Sequence, residues 1–278
     1  MRAGEVRPPP PQRAAVLLRL PSRCDFLALS PDGRVLAARE GSVVHLVDLE
    51  LGQPTFTVDA ADAGVGIVMS ASHLLGPRAD GSVALYNVHA GRVTATLRAA
   101  DPVRSAAISH DGAFVALGDE AGVVRLFRSS TGRQVASATL AAPIRALGFG
   151  ADRKLHVAAS QRHALQLPYL APDAPPRPLH LETSFVRTQG DTVWWGSKRG
   201  VMDDGGAWWD AEAATWGRKR MLLRQGEVLV DPALAVALPL PPGTTAFALH
   251  PCDTVVALGD EGGCVTLWRV DPWELLRA

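Results

Sequence analysis

One turn sequence recurs along this chain, and its spacing constrains the fold more than any other feature. Ser30-Pro31-Asp32-Gly33 is followed by Val35-Leu36-Ala37-Ala38, and Ser109-His110-Asp111-Gly112 by Phe114-Val115-Ala116-Leu117. His250-Pro251-Cys252-Asp253 is followed by Val255-Val256-Ala257-Leu258. Weaker copies begin at Ser70, Gly150 and roughly Gln189, so successive starts lie 40, 39, 41, 39 and 61 residues apart. A second marker keeps the same register. Apolar runs end at Val47, Tyr86, Phe127, Pro168, Val230 and Trp268, in steps of 39, 41, 41, 62 and 38. Both markers give six units of about 40 residues, one of which carries roughly 20 extra.

Each unit reads as four short strands. In the third, Arg104 to Ser109 is strand a, Phe114 to Leu117 strand b, Val123 to Arg128 strand c and Gln134 to Leu140 strand d. Asp111-Gly112, Glu120-Ala121-Gly122 and Thr131-Gly132-Arg133 supply the three turns. Glycine gives a tight hairpin its positive φ, and aspartate caps its own backbone. Four strands every 40 residues select a β-propeller among all-β folds. The expected architecture is a single six-bladed propeller of four-stranded antiparallel blades over residues 14–278, preceded by a Pro-rich tail at 1–13. The last unit supplies strands a, b and c and then ends. Ala14 to Leu20 has strand character and no blade of its own, so it is expected to complete the last blade and remove an open edge.

The Ser/His-Pro-Asp-Gly turn, the Gly-Asp-Glu-x-Gly turn and the apolar-aromatic strand c together resemble WD-repeat propellers. Gly259-Asp260-Glu261-Gly262-Gly263-Cys264-Val265-Thr266-Leu267-Trp268-Arg269 is the nearest stretch. The Trp-Asp pair of that family stands here as Trp268-Arg269, Phe127-Arg128, Tyr86-Asn87 and Val47-Asp48. The Gly-His pair that precedes strand a in the family is missing from every unit. The resemblance implies a rigid interaction scaffold, with b–c loops and d–a connections on the face that meets partners.

The extra residues fall in the fifth unit. The register sets them at about 198–225, between strand b (Thr192 to Gly196) and strand c (Glu227 to Asp231). Five of the seven tryptophans lie within 23 residues there: Trp194, Trp195, Trp208, Trp209 and Trp216. Arg199, Arg218 and Arg220 flank them, and Asp210 to Gly217 has helical character. Tryptophan and arginine are enriched in interface hot spots because they bury large rigid area and make stacked or forked contacts. The partner-binding set is therefore Trp208, Trp209, Trp216, Arg199, Arg218 and Arg220. The competing reading packs these tryptophans onto the propeller as a plug.

Chemistry has fewer footholds. The cores of strands a, which would line a central channel, read Phe26 to Leu29, Gly66 to Met69, Ser105 to Ile108, Ala146 to Phe149, Phe185 to Arg187 and Ala246 to Leu249, with Arg187 their one charged residue. The eight histidines show no i, i+4 pair, and neither a Gly-x-Ser-x-Gly elbow nor a phosphate-binding Gly-Lys loop is present. The expectation is no catalytic residue, no metal and no cofactor. The alternative is an enzyme or a propeller binding a small ligand or metal at the channel mouth, with Arg187, Asp203 and Asp204 as its groups. Equal counts of basic and acidic residues, 28 each, remove any global drive towards nucleic acid. Cys24, Cys252 and Cys264 fit neither a disulfide framework nor a zinc site. Without a signal peptide or a membrane span, the sequence reads as a cytoplasmic monomer that binds one protein partner.

Overall fold

A computed structural model describes residues 14–60, 67–150, 152–160, 163–171, 175–179, 185–189, 192–197, 200–203, 208–209, 221–224, 227–230, 237–239, 241–249 and 255–269. Over 185–239 the description is of backbone pairing alone. Every regular element among these residues is a strand, and no helix among them is long and apolar enough to cross a membrane.

The strands form antiparallel sheets in chain order. The first sheet is β2 (Phe26–Leu29), β3 (Val35–Glu40), β4 (Val43–Asp48) and β5 (Gln53–Asp59). The second is β6 (Val68–Met69), β7 (His73–Pro77), β8 (Val83–Asn87) and β9 (Arg92–Leu97). The third is β10 (Val103–Ile108), β11 (Phe114–Asp119), β12 (Val123–Arg128) and β13 (Arg133–Thr139). The fourth is β14 (Ala146–Phe149), β15 (Lys154–Ser160), β16 (His163–Pro168) and β17 (Arg177–Leu179). The fifth is β18 (Phe185–Gln189), β19 (Thr192–Ser197), β20 (Gly200–Asp203) and β21 (Trp208–Trp209). The sixth has three strands: β22 (Met221–Arg224), β23 (Glu227–Val230) and β24 (Ala237–Pro239). The seventh is β25 (Thr244–Leu249), β26 (Val255–Asp260) and β27 (Cys264–Arg269), with β1 (Ala14–Arg19) outermost. Repeated four-stranded antiparallel sheets of this kind make a β-propeller-like fold.

The count corrects the six-unit reading. The long fifth unit is two sheets, not one sheet with a loop. β19 pairs with β20 through Gly196 and Val201, while Glu227–Val230 pairs with β22 and β24. The stretch 198–225 therefore contains β20, β21 and β22. Its strands are two to four residues long, and neither repeat marker recurs within it.

The first and last described strands share the last sheet, as the sequence suggests, with Ala15 opposite Leu267 and Arg19 opposite Cys264. The turn beyond β1 repeats the one beyond β13. Leu20 N–H donates to Gly263 O at 2.8 Å, and Leu140 N–H to Gly122 O at 2.9 Å. Gly263 (φ 78°) and Gly122 (φ 86°) need this conformation, and a Cβ on either would strike the carbonyls of the incoming segment.

The recurring motif owes its shape to short hydrogen bonds. Ser30 Oγ donates to Asp32 Oδ1 at 2.6 Å and accepts Val35 N–H at 2.9 Å. Ser109 does the same with Asp111 and Phe114, at 2.6 and 2.9 Å. Both serines are buried, so these bonds satisfy the turn where water cannot. At the other turns, Asp48 Oδ1 and Asn87 Oδ1 each accept two backbone N–H groups. Those are the places where the WD-repeat resemblance has its aspartate.

Apolar clusters then join each sheet to the next. Val44 and Leu46 meet Leu74 and Tyr86. Leu75 and Leu85 meet Val115 and Leu117. Ala116 and Leu126 meet Leu155 and Val157, and Ala248 and Ala257 meet Leu36 and Val47. Innermost strands run side by side: β25 with β2, β2 with β6, β6 with β10, β10 with β14 and β14 with β18.

Candidate functional site

Cross-strand rows show where this regular array departs from itself. Two residues before each motif start, the first sheet reads Ala28, Ala37, Leu46 and Phe56 from inside to outside. The second reads Val68, Leu75, Leu85 and Ala95. The third reads Ala107, Ala116, Leu126 and Ala136. The seventh reads Ala248, Ala257, Leu267 and Ala15. In the fourth sheet the same row is Gly148, His156, Gln166 and Arg177. In the fifth it is Arg187, Trp194 and Asp203. The row that is apolar in the first, second, third and seventh sheets holds His156, Gln166 and Arg177 in the fourth, and its register positions in the fifth carry Arg187 and Asp203.

The fourth-sheet row has resolved chemistry. His156 is 2% exposed. Its Nε2 lies 3.1 Å from Asp152 Oδ1, and its Nδ1 lies 3.4 Å from Gln166 Nε2. Asp152 occupies the place of Asp32 and Asp111, but Gly150 replaces the serine that those aspartates bind. The imidazole takes over the hydroxyl's task, and a Cβ at position 150 would come within 2.7 Å of His156 Nε2. Burial works against ionisation of Asp152. The hydrogen bond and charge of His156, with help from Lys154, outweigh it and hold the carboxyl below its usual range. Gln166 Oε1 is buried and has no partner among the described residues. Sequence reading passed over this cluster because His156 shows no metal-ligand spacing. Its signal was a histidine at a position that is alanine or leucine in four other units.

Of the residues singled out from sequence, Trp208 and Trp209 form β21, the outermost strand of the fifth sheet, opposite Met202 and Val201. The corresponding outer strands β5, β9 and β13 are mostly exposed and rich in Thr, Ser, Arg and Gln. Trp216, Arg199, Arg218 and Arg220 lie outside the described residues, as do Asp204 and the stretch 210–217 read as helical. Arg187 and Asp203 fall in one cross-strand row with Trp194 between them, two strand spacings or about 10 Å apart in backbone terms.

Elsewhere the described residues hold structural ion pairs. Asp119, fully buried, accepts Val123 N–H at 2.8 Å and pairs with Arg125. Asp25 pairs with Arg39 at 2.8 Å. A cavity of about 50 Å³ between the third and fourth sheets is lined by Leu126, Leu155, Leu167 and Tyr169. It has room for a few water molecules. Cys24 is buried, and that burial pushes its thiol up to about 11, which keeps it unreactive at neutral pH. Among the described residues no three His, Cys, Asp or Glu side chains converge as a metal site.

No protein-family model matches the chain, and no curated protein is significantly similar to it. The class of the protein therefore rests on its fold: among the described residues, repeated blade-like β-sheets with the first and last strands in one sheet.

Proposed function

We propose that the seven sheets close into one propeller of the WD-repeat kind, acting in the cytoplasm as a non-catalytic platform for a protein partner. Its binding surface is Trp208 and Trp209 with Trp216, Arg199, Arg218 and Arg220 around them. One observation carries this reading. The outermost strand of the fifth sheet consists of two adjacent tryptophans, at a position where the first three sheets carry mostly exposed strands rich in polar residues. Large aromatic groups at such a rim are characteristic of hot spots. The seven-sheet register also moves Trp216, Arg218 and Arg220 from a b–c loop to the connection between the fifth and sixth sheets. In the WD-repeat resemblance that connection belongs to the same face.

The test is affinity capture from native extract, followed by titration of the recovered partner against purified chain. Because 200–203, 208–209 and 221–224 are strands, point substitution serves better than excising the segment. Trp208→Ala with Trp209→Ala is expected to abolish capture while the fold persists. Unchanged capture would move the surface elsewhere on the ring.

A further inference from the structure

The turn between β12 and β13 lacks an acceptor that its counterparts carry, and we infer that it binds a phosphate group in that acceptor's place. Three such turns share one geometry. Each closes on a backbone N–H to C=O bond: Gly52 to Asp48 at 2.9 Å, Gly91 to Asn87 at 2.9 Å and Gly132 to Arg128 at 2.8 Å. Their glycines have φ of 66°, 61° and 65°. In the first sheet Asp48 Oδ1 accepts the N–H groups of Glu50 and Leu51 at 2.8 and 3.0 Å. In the second, Asn87 Oδ1 accepts those of His89 and Ala90 at 3.0 and 2.8 Å. The same backbone path brings the N–H groups of Ser130 and Thr131 towards one point, but the residue at the acceptor's position is Arg128. A guanidinium accepts nothing. Thr131 N–H is left with a 3.3 Å bond to Arg128 O, and Ser130 N–H has no partner among the described residues.

The charges around this turn favour the same ligand. Register sets Arg133 directly opposite Arg128, where the first sheet sets Gln53 opposite Asp48 and the second Arg92 opposite Asn87. Like charges facing each other across two strands repel, and an anion between them turns repulsion into attraction. Both arginines are exposed, and neither has an ion pair among the described residues. The Arg128 guanidinium lies 5.4 Å over the Phe114 ring, which keeps it beside the turn. Thr131 Oγ1 accepts Arg133 N–H at 3.3 Å, so its own proton is left to donate, as is that of exposed Ser130. Asp111, the acid of the neighbouring β10–β11 turn, is engaged by Ser109 Oγ and Ala113 N–H. The turn also rests on the second sheet: a Cβ at Gly132 would lie 3.4 Å from that of Ala95. Two N–H groups, two hydroxyls and two guanidiniums offer more donors than one carboxylate can use, and they suit a dianion with three oxygens. Free phosphate and a phosphate ester on another chain supply the same oxyanion. The site lies wholly in the third sheet and does not depend on the surface proposed around Trp208 and Trp209.

The experiment follows the backbone amides of the isotope-labelled full chain by NMR during titration with inorganic phosphate at constant ionic strength. Saturable shifts are expected, centred on Ser130 and Thr131. Acetate, a single carboxylate, should bind at least about tenfold more weakly. Arg128→Asn restores the acceptor that the second sheet has at Asn87, and should weaken phosphate binding at least about tenfold. Arg133→Gln copies Gln53 of the first sheet and should weaken it about threefold. Both are surface changes to residues that the chain already uses at matching places, so melting temperatures should stay within about 3 °C of the parent. Should either variant fail to fold, the other gives the same readout. N-acetyl-phosphoserine amide separates the two sources: tighter binding than inorganic phosphate assigns the site to a phosphate ester on another chain, and equal or weaker binding assigns it to free phosphate. No saturable shift at Ser130 and Thr131, acetate binding as tightly as phosphate, or unchanged phosphate affinity in the folded variants would overturn the inference.

Discussion

Replacing Asp119 with alanine removes the most deeply buried charge in the described fold, and the cost can be worked out from its surroundings. The carboxylate is fully buried and the Arg125 side chain 15% exposed. One carboxylate oxygen accepts Val123 N–H at 2.8 Å and closes the turn between β11 and β12. Alanine leaves the guanidinium desolvated without its counter-charge, a loss of about 3–5 kcal/mol. For a chain of this size each kcal/mol lowers the melting temperature by about 2 °C, so Asp119→Ala should melt about 6–10 °C below the parent. Asp260 provides an internal control. It makes the same turn bond, to Cys264 N–H at 2.8 Å, and at its register Thr266 stands where the third sheet has Arg125. Asp260→Ala should therefore lose only the turn bond, about 1.5–3 kcal/mol. Thermal unfolding followed by circular dichroism reads both, and Asp119→Ala combined with Arg125→Ala should cost less than the sum of the single changes. A melting temperature for Asp119→Ala within 3 °C of the parent, or a cost equal to that of Asp260→Ala, would refute the reasoning.

Three further predictions follow from particular groups. At Asp32 and Asp111 burial opposes ionisation, but serine hydroxyls and backbone N–H groups outweigh it and hold both carboxyls below their ordinary 3.8. A folded-state pKa below the unfolded one gives stability that is complete above pH 4 and lost as pH falls further, so the melting temperature should decline below pH 4. Asp111→Asn should flatten that decline. In Gly118→Ala the new Cβ would sit 2.7 Å from Ser105 Oγ and collide with Ile144, so chemical denaturation should show a loss of about 1–3 kcal/mol. Removing residues 1–20 strips β1 from the last sheet and takes away buried Leu20 with half-buried Leu17 and Leu18. A stability loss of about 3–6 kcal/mol is expected, with self-association through the bared edge of β27 visible in gel filtration.

The fold was legible wherever turn chemistry repeats. Ser30, Ser109 and their aspartates announce the hairpins that they build, and the unpaired Ala14–Leu20 run correctly pointed to the last sheet. The reading failed between 185 and 239 for a physical reason. From β20 to β24 the strands shrink to two to four residues, and the turns lack the Ser-x-Asp-Gly signature, so two sheets read as one sheet with an insertion. Val228 to Val230 is a strand as expected, but with a different neighbour. Of the candidate surface, the aromatic clustering of Trp208 and Trp209 was visible in sequence, while their place as an outermost strand was not. His156 was invisible as chemistry because Gln166 becomes its neighbour only through the register of β15 and β16, and Asp152 only through the turn that leads into β15.

The most direct test of the platform reading is calorimetric titration of the captured partner against the wild-type chain and against Trp208→Ala with Trp209→Ala, with melting curves for both. A hot spot worth about 2 kcal/mol or more predicts binding at least about thirtyfold weaker, with the melting temperature unchanged within 3 °C. Unchanged affinity together with a large drop in melting temperature would contradict it, and would make the two tryptophans part of the packing of the ring.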